Sequence, residues 1–165
     1  MPDRPPSRVR PATAQDVPVI LDLVRELAAY ERQPDAVHAT IEQFATALFP
    51  HDGPPAAFCH LACVGDAVAG MALWFPSFST WTGTTGIWLE DLYVRPAHRG
   101  LGLGRELLAR LAAVCVERGY HRLEWWVLDW NRPSIEFYRA LGAHPQEEWT
   151  RFRLDGAALS ALGGG

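Results

Sequence analysis

The stretch LEDLYVRPAHRGLGLGRELL, residues 89–108, constrains the chain more than any other. Its apolar opening carries two carboxylates, Glu90 and Asp91, and reads as a strand; Gly100, Gly102 and Gly104 then alternate with leucines, and a helix follows directly. A strand that feeds a helix through such a turn points to an α/β design. Without side chains at alternate positions, the backbone N–H groups of the turn and of the helix start can close on an anion such as a phosphate.

Three anion-binding motifs compete for this turn. A Walker loop needs Gly-Lys-Ser/Thr after its glycines, but Gly104 is followed by Arg105 and Glu106. A dinucleotide fingerprint needs G-x-G-x-x-G, and neither pair of glycines is followed by a third at that spacing, although Glu124 superficially suits the ribose-binding acid. The pyrophosphate of coenzyme A is the third option. By itself such a turn can also be purely structural.

The surrounding periodicities fill in the fold. A short strand is expected at Arg8–Arg10, then a helix capped by Thr13 with Val17, Ile20, Leu21, Val24, Leu27 and Ala28 on one face, ending near Tyr30 and Glu31. Thr40 and Gln43 have the form of a capping box for a second helix that buries Ile41, Phe44 and Leu48. Residues 58–75 read as a hairpin turning at Gly65 and Asp66, residues 76–86 as a loop, and 87–94 as a strand. Helix 102–118 stops at Gly119, a strand covers 122–128, Pro133 opens a helix ended by Gly142, 149–154 is a last strand, and 157–162 a helical turn. The order β α α β β β α β α β predicts an α/β fold with a mixed, mostly antiparallel central sheet and helices on both faces. At 165 residues the chain is expected to be a single domain, with residues 1–7 a flexible Pro-rich leader.

Composition removes several function classes. Net charge is −4 and no block of Lys/Arg occurs, so nucleic acid and membrane surfaces are poor partners. No window approaches the apolar length of a membrane span and no secretory leader is evident, which predicts a cytoplasmic protein. Cys59, Cys63 and Cys115 lack metal spacing and read as reduced, buried thiols, and the scattered histidines give no metal site. Trp125, Trp126, Trp130 and Trp149 read as packing residues.

Arg99-x-x-Gly102-x-Gly104 resembles the R/Q-x-x-G-x-G/A turn of the GNAT N-acetyltransferases. Within them the chain resembles the diamine (spermidine/spermine) acetyltransferases, and most of all their thialysine-acetylating branch. The similar segments are RPATAQDV, ELAAYE, STW, LEDLYVRPAHRGLGLG and VLDWNRPSIEFYRALGA, which span nearly the whole chain in order. The resemblance implies acetyl-CoA as cofactor, bound by the backbone of Arg99, Gly100, Leu101, Gly102, Leu103, Gly104 and Arg105. The Arg99 side chain either approaches the cofactor phosphates or faces solvent. By the same resemblance Asn131 holds the pantetheine arm, Ser134 stands at the family's Ala/Ser position, and a homodimer is expected.

Acetyl transfer to an amine sets three demands. With a free pKa of about 10.4, roughly one amine in 2,500 is neutral at pH 7, a handicap of about 4.6 kcal/mol. Glu90 is the expected proton acceptor, directly or through water. Regular alternation would send Asp91 to the opposite face, where it can bind the substrate cation from the strand's margin. The thioester oxygen becomes anionic, and backbone N–H groups of Leu92 to Val94 can meet it if the strand splays from its neighbour, as it does in GNATs. The leaving thiolate needs a proton, and Tyr138 stands where the family pattern puts its tyrosine acid.

By resemblance, Tyr30, Glu31, Trp81, Glu90 and Asp91 line the amine site, an acidic, aromatic pocket suited to a small cation. Ser79-Thr80 replaces an acidic residue of the polyamine enzymes, which favours a lysine-like amino acid over a long polycation. Three rivals remain: polyamine acetylation, acetylation of a protein amine, and an acyl-CoA-binding module without turnover, which would not need both Glu90 and Tyr138.

Overall fold

The structure, a computed structural model, describes residues 8–164, so the leader 1–7 lies outside the described residues. Strand β1 (Val9–Pro11) leads through a 3-10 turn into α1 (Val17–Tyr30) and α2 (Ile41–Leu48). Strands β2 (Phe58–Val64), β3 (Ala67–Ser79) and β4 (Thr84–Val94) follow, then α3 (Leu103–Arg118), β5 (Leu123–Glu124), α4 (Arg132–Ala140) and α5 (Gly156–Leu162). The backbone forms two compact units, one running to Trp126 and one starting at Val127, where the length suggests one domain. The first contains the whole five-stranded sheet and the second α4 and α5.

The sheet order is β1-β2-β3-β4-β5, antiparallel throughout except for the parallel β4–β5 pair. This is the expected mixed sheet. Alternation along β3 divides its faces: Met71 and Leu73 join Ile20, Leu23, Leu27 and Leu48 of α1 and α2 in one core cluster. Trp74 points the other way, where Arg118 of α3 lies 5.8 Å from its ring. Helices therefore cover both faces.

Thr40 and Gln43 form the expected capping box, but Ile41 is 46% exposed and only Leu48 of the proposed stripe is buried, with Phe44 packed against the core edge. The hairpin turns at Gly65, with φ +59°. Residues 76–86 are not a long loop: β3 continues through Pro76 to Ser79 and pairs with β4 from Thr84. Strand β2 pairs no farther than Trp74, so β3 has an open edge there that tolerates a proline.

The other corrections concern strands with too little to pair with. Of 122–128 only Leu123 and Glu124 form ladder pairs, with Ile87 and Trp88. Residues 149–154 form no strand; Trp149 is 70% and Phe152 91% exposed. Strand propensity reports fit to a half-buried sheet surface, and no neighbouring strand supplies one among the described residues. Trp126 and Trp130 are likewise exposed, and the large indole in the core is Trp74. The cysteines are free, with Cys59 and Cys115 buried and Cys63 half-buried.

Candidate active site

A β-bulge organises the acidic end of β4. Leu89 pairs with Trp74 and Asp91 with Leu73, so Glu90 is an extra residue between two consecutive partners. The insertion cancels one step of the alternation. Asp91 and Tyr93 share the face of Leu73 and Met71, under α1 and α2. Glu90 stays on that side too, because the Trp88 indole Nε1 donates to its Oε2 at 3.0 Å and Trp88 pairs with Phe75 of the same face. Glu90 and Asp91 are therefore not on opposite faces, as regular alternation predicts, but act on one another.

Electrostatics follow from this crowding. Burial, reinforced by the charges of Glu90 and Glu31, pushes the Asp91 carboxyl up from 3.8 to about 7. Glu31, the C-cap residue of α1, is raised by burial as well. Glu90 is exposed. Glu31, Glu90 and Asp91 thus form one acidic group, with Tyr30 half open to solvent beside it in the chain. Trp81 stands on the turn between β3 and β4, 86% exposed.

The glycine turn lies after β4 and a 3-10 turn at Pro96–His98. Gly100 and Gly102 both have φ +81°, a region that favours glycine. Gly102 is the N-cap of α3 and offers no side-chain cap, so the N–H groups of Leu103, Gly104 and Arg105 are left with no intrahelical acceptor. A Cβ at Gly100 would meet nothing within 4 Å, so there is room over the turn. These backbone donors fit an anionic phosphate. Leu103 is buried and roots the helix in the core, while Leu101 and Arg105 are exposed.

Two side chains brace the turn. Arg8 pairs with Glu106 of α3, and its Nη2 donates to the Leu101 carbonyl at 2.7 Å. Arg99 does not simply extend into solvent: its Nε donates to the Val94 carbonyl at 2.9 Å, and its guanidinium lies 4.9 Å from the Tyr30 ring and 5.7 Å from the Tyr93 ring. Beyond Trp88, β4 pairs only with β3, so Leu92 to Val94 keep one edge free of ladder pairing among the described residues.

The second unit holds the remaining candidates. Asn131 is buried at the N-cap of α4, where its Oδ1 accepts from the Ser134 N–H at 3.4 Å. Pro133 falls at the second helical position, and Gly142 closes the helix with φ +91°. Ser134 and Tyr138 are half-buried one turn apart on one face of α4, and the Tyr138 ring packs 5.4 Å from Phe137. Sequence reasoning missed the Arg8 brace and the Trp88–Glu90 bond. The second had a signal in the i, i+2 spacing on a strand; the first joins residues 98 apart and had none.

The sequence profile of the Acetyltransferase (GNAT) family matches residues 20–143. Thialysine N-epsilon-acetyltransferase of Bos taurus is 36% identical over 167 residues, covering 94% of this chain and 96% of that protein. L-ornithine N5-acetyltransferase of Arabidopsis thaliana is 31% identical over 199 residues, covering 94% and 87%. Among solved structures, an integron cassette protein from the mobile metagenome of V. cholerae superposes with a TM-score of 0.77 at 23% identity, covering 94% and 96% of the two chains. The chain belongs to the GNAT acetyltransferase family. It is an acyltransferase enzyme.

Proposed function

We propose that this enzyme transfers acetyl from acetyl-CoA to the side-chain amine of a lysine-like amino acid such as thialysine, by direct attack of the amine. The observation that carries the reading is the grouping of Glu90 and Asp91 on one side of β4 by the bulge, beside Glu31, where burial raises the Asp91 carboxyl to about 7. A proton acceptor works best when its pKa lies near the operating pH, and the Glu90 and Asp91 carboxylates stand together where the ammonium proton must be taken, directly or through water. Acetyl-CoA supplies the acetyl group as a thioester. By the family resemblance the N–H groups of Leu103, Gly104 and Arg105 would hold its pyrophosphate, those of Leu92 to Val94 would meet the thioester oxygen, and Asn131 and Ser134 would hold the pantetheine arm. Tyr138, by the same resemblance, would supply the proton to the departing thiolate. Tyr30, Glu31 and Trp81 enclose the amine.

Two of the relatives carry an amino acid in their names, thialysine in one and L-ornithine in the other, which supports an amino-acid substrate. A cytoplasmic location and a homodimer belong to the same proposal, and no helix among the described residues is long and apolar enough to cross a membrane. The test is steady-state acetyl-CoA turnover with thialysine, ornithine, spermidine, spermine and an aminoglycoside. Thialysine is expected to give a higher kcat/KM than either polyamine, since each extra ammonium must leave water and find a carboxylate. A spermine kcat/KM more than about tenfold above that for thialysine overturns the substrate assignment.

A further inference from the structure

We propose that the Arg99 guanidinium anchors the α-carboxylate of the amino-acid substrate and so sets the enzyme's preference for amino acids over plain diamines. The proposal deepens the reading above and rests on it. An amino-acid substrate brings an anion into a site whose own ionisable groups are Glu31, Glu90 and Asp91. Three acids repel a carboxylate, so a cation must hold it at the margin.

Two neighbouring arginines have their donors already committed. Arg8 is committed to Glu106 and the Leu101 carbonyl. Arg95 is committed to Glu26 through Nε and Nη2 and to the Val68 carbonyl through Nη1. Arg99 differs: among the described residues its hydrogen bond is the one from Nε to the Val94 carbonyl, so the donors of Nη1 and Nη2 stay available. That bond and the Tyr30 and Tyr93 rings hold the planar fork in place before any ligand arrives. A preordered guanidinium is the side chain best matched to a carboxylate, through two parallel hydrogen bonds.

Its position suits the distance to be spanned. Tyr30, under the guanidinium, adjoins Glu31, whose charge acts on Asp91. Tyr93, the second ring, follows Asp91 by two residues on the same strand face, an interval of roughly 7 Å along a strand. A carboxylate on Arg99 therefore leaves a lysine-length side chain to reach back along β4 toward Asp91 and Glu90. In this arrangement the backbone of Arg99 opens the cofactor turn, while its side chain serves the other substrate.

The test compares thialysine with bis(2-aminoethyl) sulfide, the same amine chain without the carboxylate, in wild type, Arg99→Gln and Arg99→Lys at saturating acetyl-CoA. The expected result is a fall of at least about tenfold in the kcat/KM ratio of thialysine to the sulfide diamine in Arg99→Gln, carried mainly by the KM for thialysine. Arg99→Lys, which keeps the charge but not the fork, should recover part of it. With wild type favouring thialysine, a ratio within about twofold of wild type in Arg99→Gln overturns the anchor while leaving the proposed function standing. Equal losses on both amines, with a weaker calorimetric Kd for acetyl-CoA, overturn it too and give the side chain to the cofactor. A wild-type enzyme that turns over the diamine but not thialysine overturns the functional reading and the anchor together.

Discussion

Asp91→Asn should make the protein more stable and the enzyme worse, with a stability gain that depends on pH in a definite direction. In the folded protein the Asp91 carboxyl titrates at about 7, against an ordinary value of 3.8. A raised carboxyl keeps its proton in the fold after the unfolded chain has released it, so stability falls as pH climbs from about 4 to about 7, and the full cost stands above that. The gap corresponds to at most about 4 kcal/mol near pH 8, and to about 2 kcal/mol near pH 5.5. These are upper bounds, because Asp91 is half-buried and residual water weakens the penalty. Asparagine has the same shape and no charge. Its advantage over wild type should therefore grow by up to about 2 kcal/mol between these pH values, several degrees in Tm for a chain of this size. Thermal unfolding of both proteins at the two pH values is the measurement, with acetyl transfer followed in parallel. A Tm difference that does not change with pH would show that Asp91 ionises normally in the fold and would remove the proton-acceptor argument with it.

Glu90→Gln keeps an acceptor for the Trp88 indole but deletes a negative charge beside Asp91, so it should lower kcat and move the acid limb of the kcat/KM pH profile to lower pH; an unmoved limb would uncouple the pair. Gly102→Val places a β-branched residue at φ +81° in the turn and should raise the calorimetric Kd for acetyl-CoA by more than about tenfold; an unchanged Kd would take the turn out of cofactor binding. Tyr138→Phe removes one hydroxyl and should cut kcat on the order of 10²-fold with little change in acetyl-CoA affinity. Activity within about twofold of wild type, with chemistry rate-limiting, would return Tyr138 to a packing role.

What could be read from the sequence was what local chemistry encodes. The Thr40–Gln43 box, the Gly65 turn, the Gly119 stop and the glycine turn after β4 each carry their signal within a few residues. The extension of β3 and β4 did not, because Pro76 and Gly86 mimic loop residues. Gly86 is needed for closeness rather than turning: a Cβ there would lie 2.9 Å from the Arg122 carbonyl. Strand 149–154 failed for the opposite reason, since its apolar residues promise a sheet that has no place for them. In the site, the residue types at 90 and 91 were legible but their directions were not, because a bulge inserts a residue without any compositional mark.

That bulge also works as a one-residue vernier on the strand. Deleting Glu90 would not simply subtract a carboxylate. It would also remove the bulge and restore a regular ladder in which Trp88, Leu89 and Asp91 keep their partners Phe75, Trp74 and Leu73, and with them their present faces. A variant library or a sequence alignment that slips by one position between 88 and 92 would therefore compare residues that look toward different sides of the sheet. The safest frame of reference for placing a homologous acid is its ladder partner, Leu73 for Asp91, rather than its distance from the glycine turn.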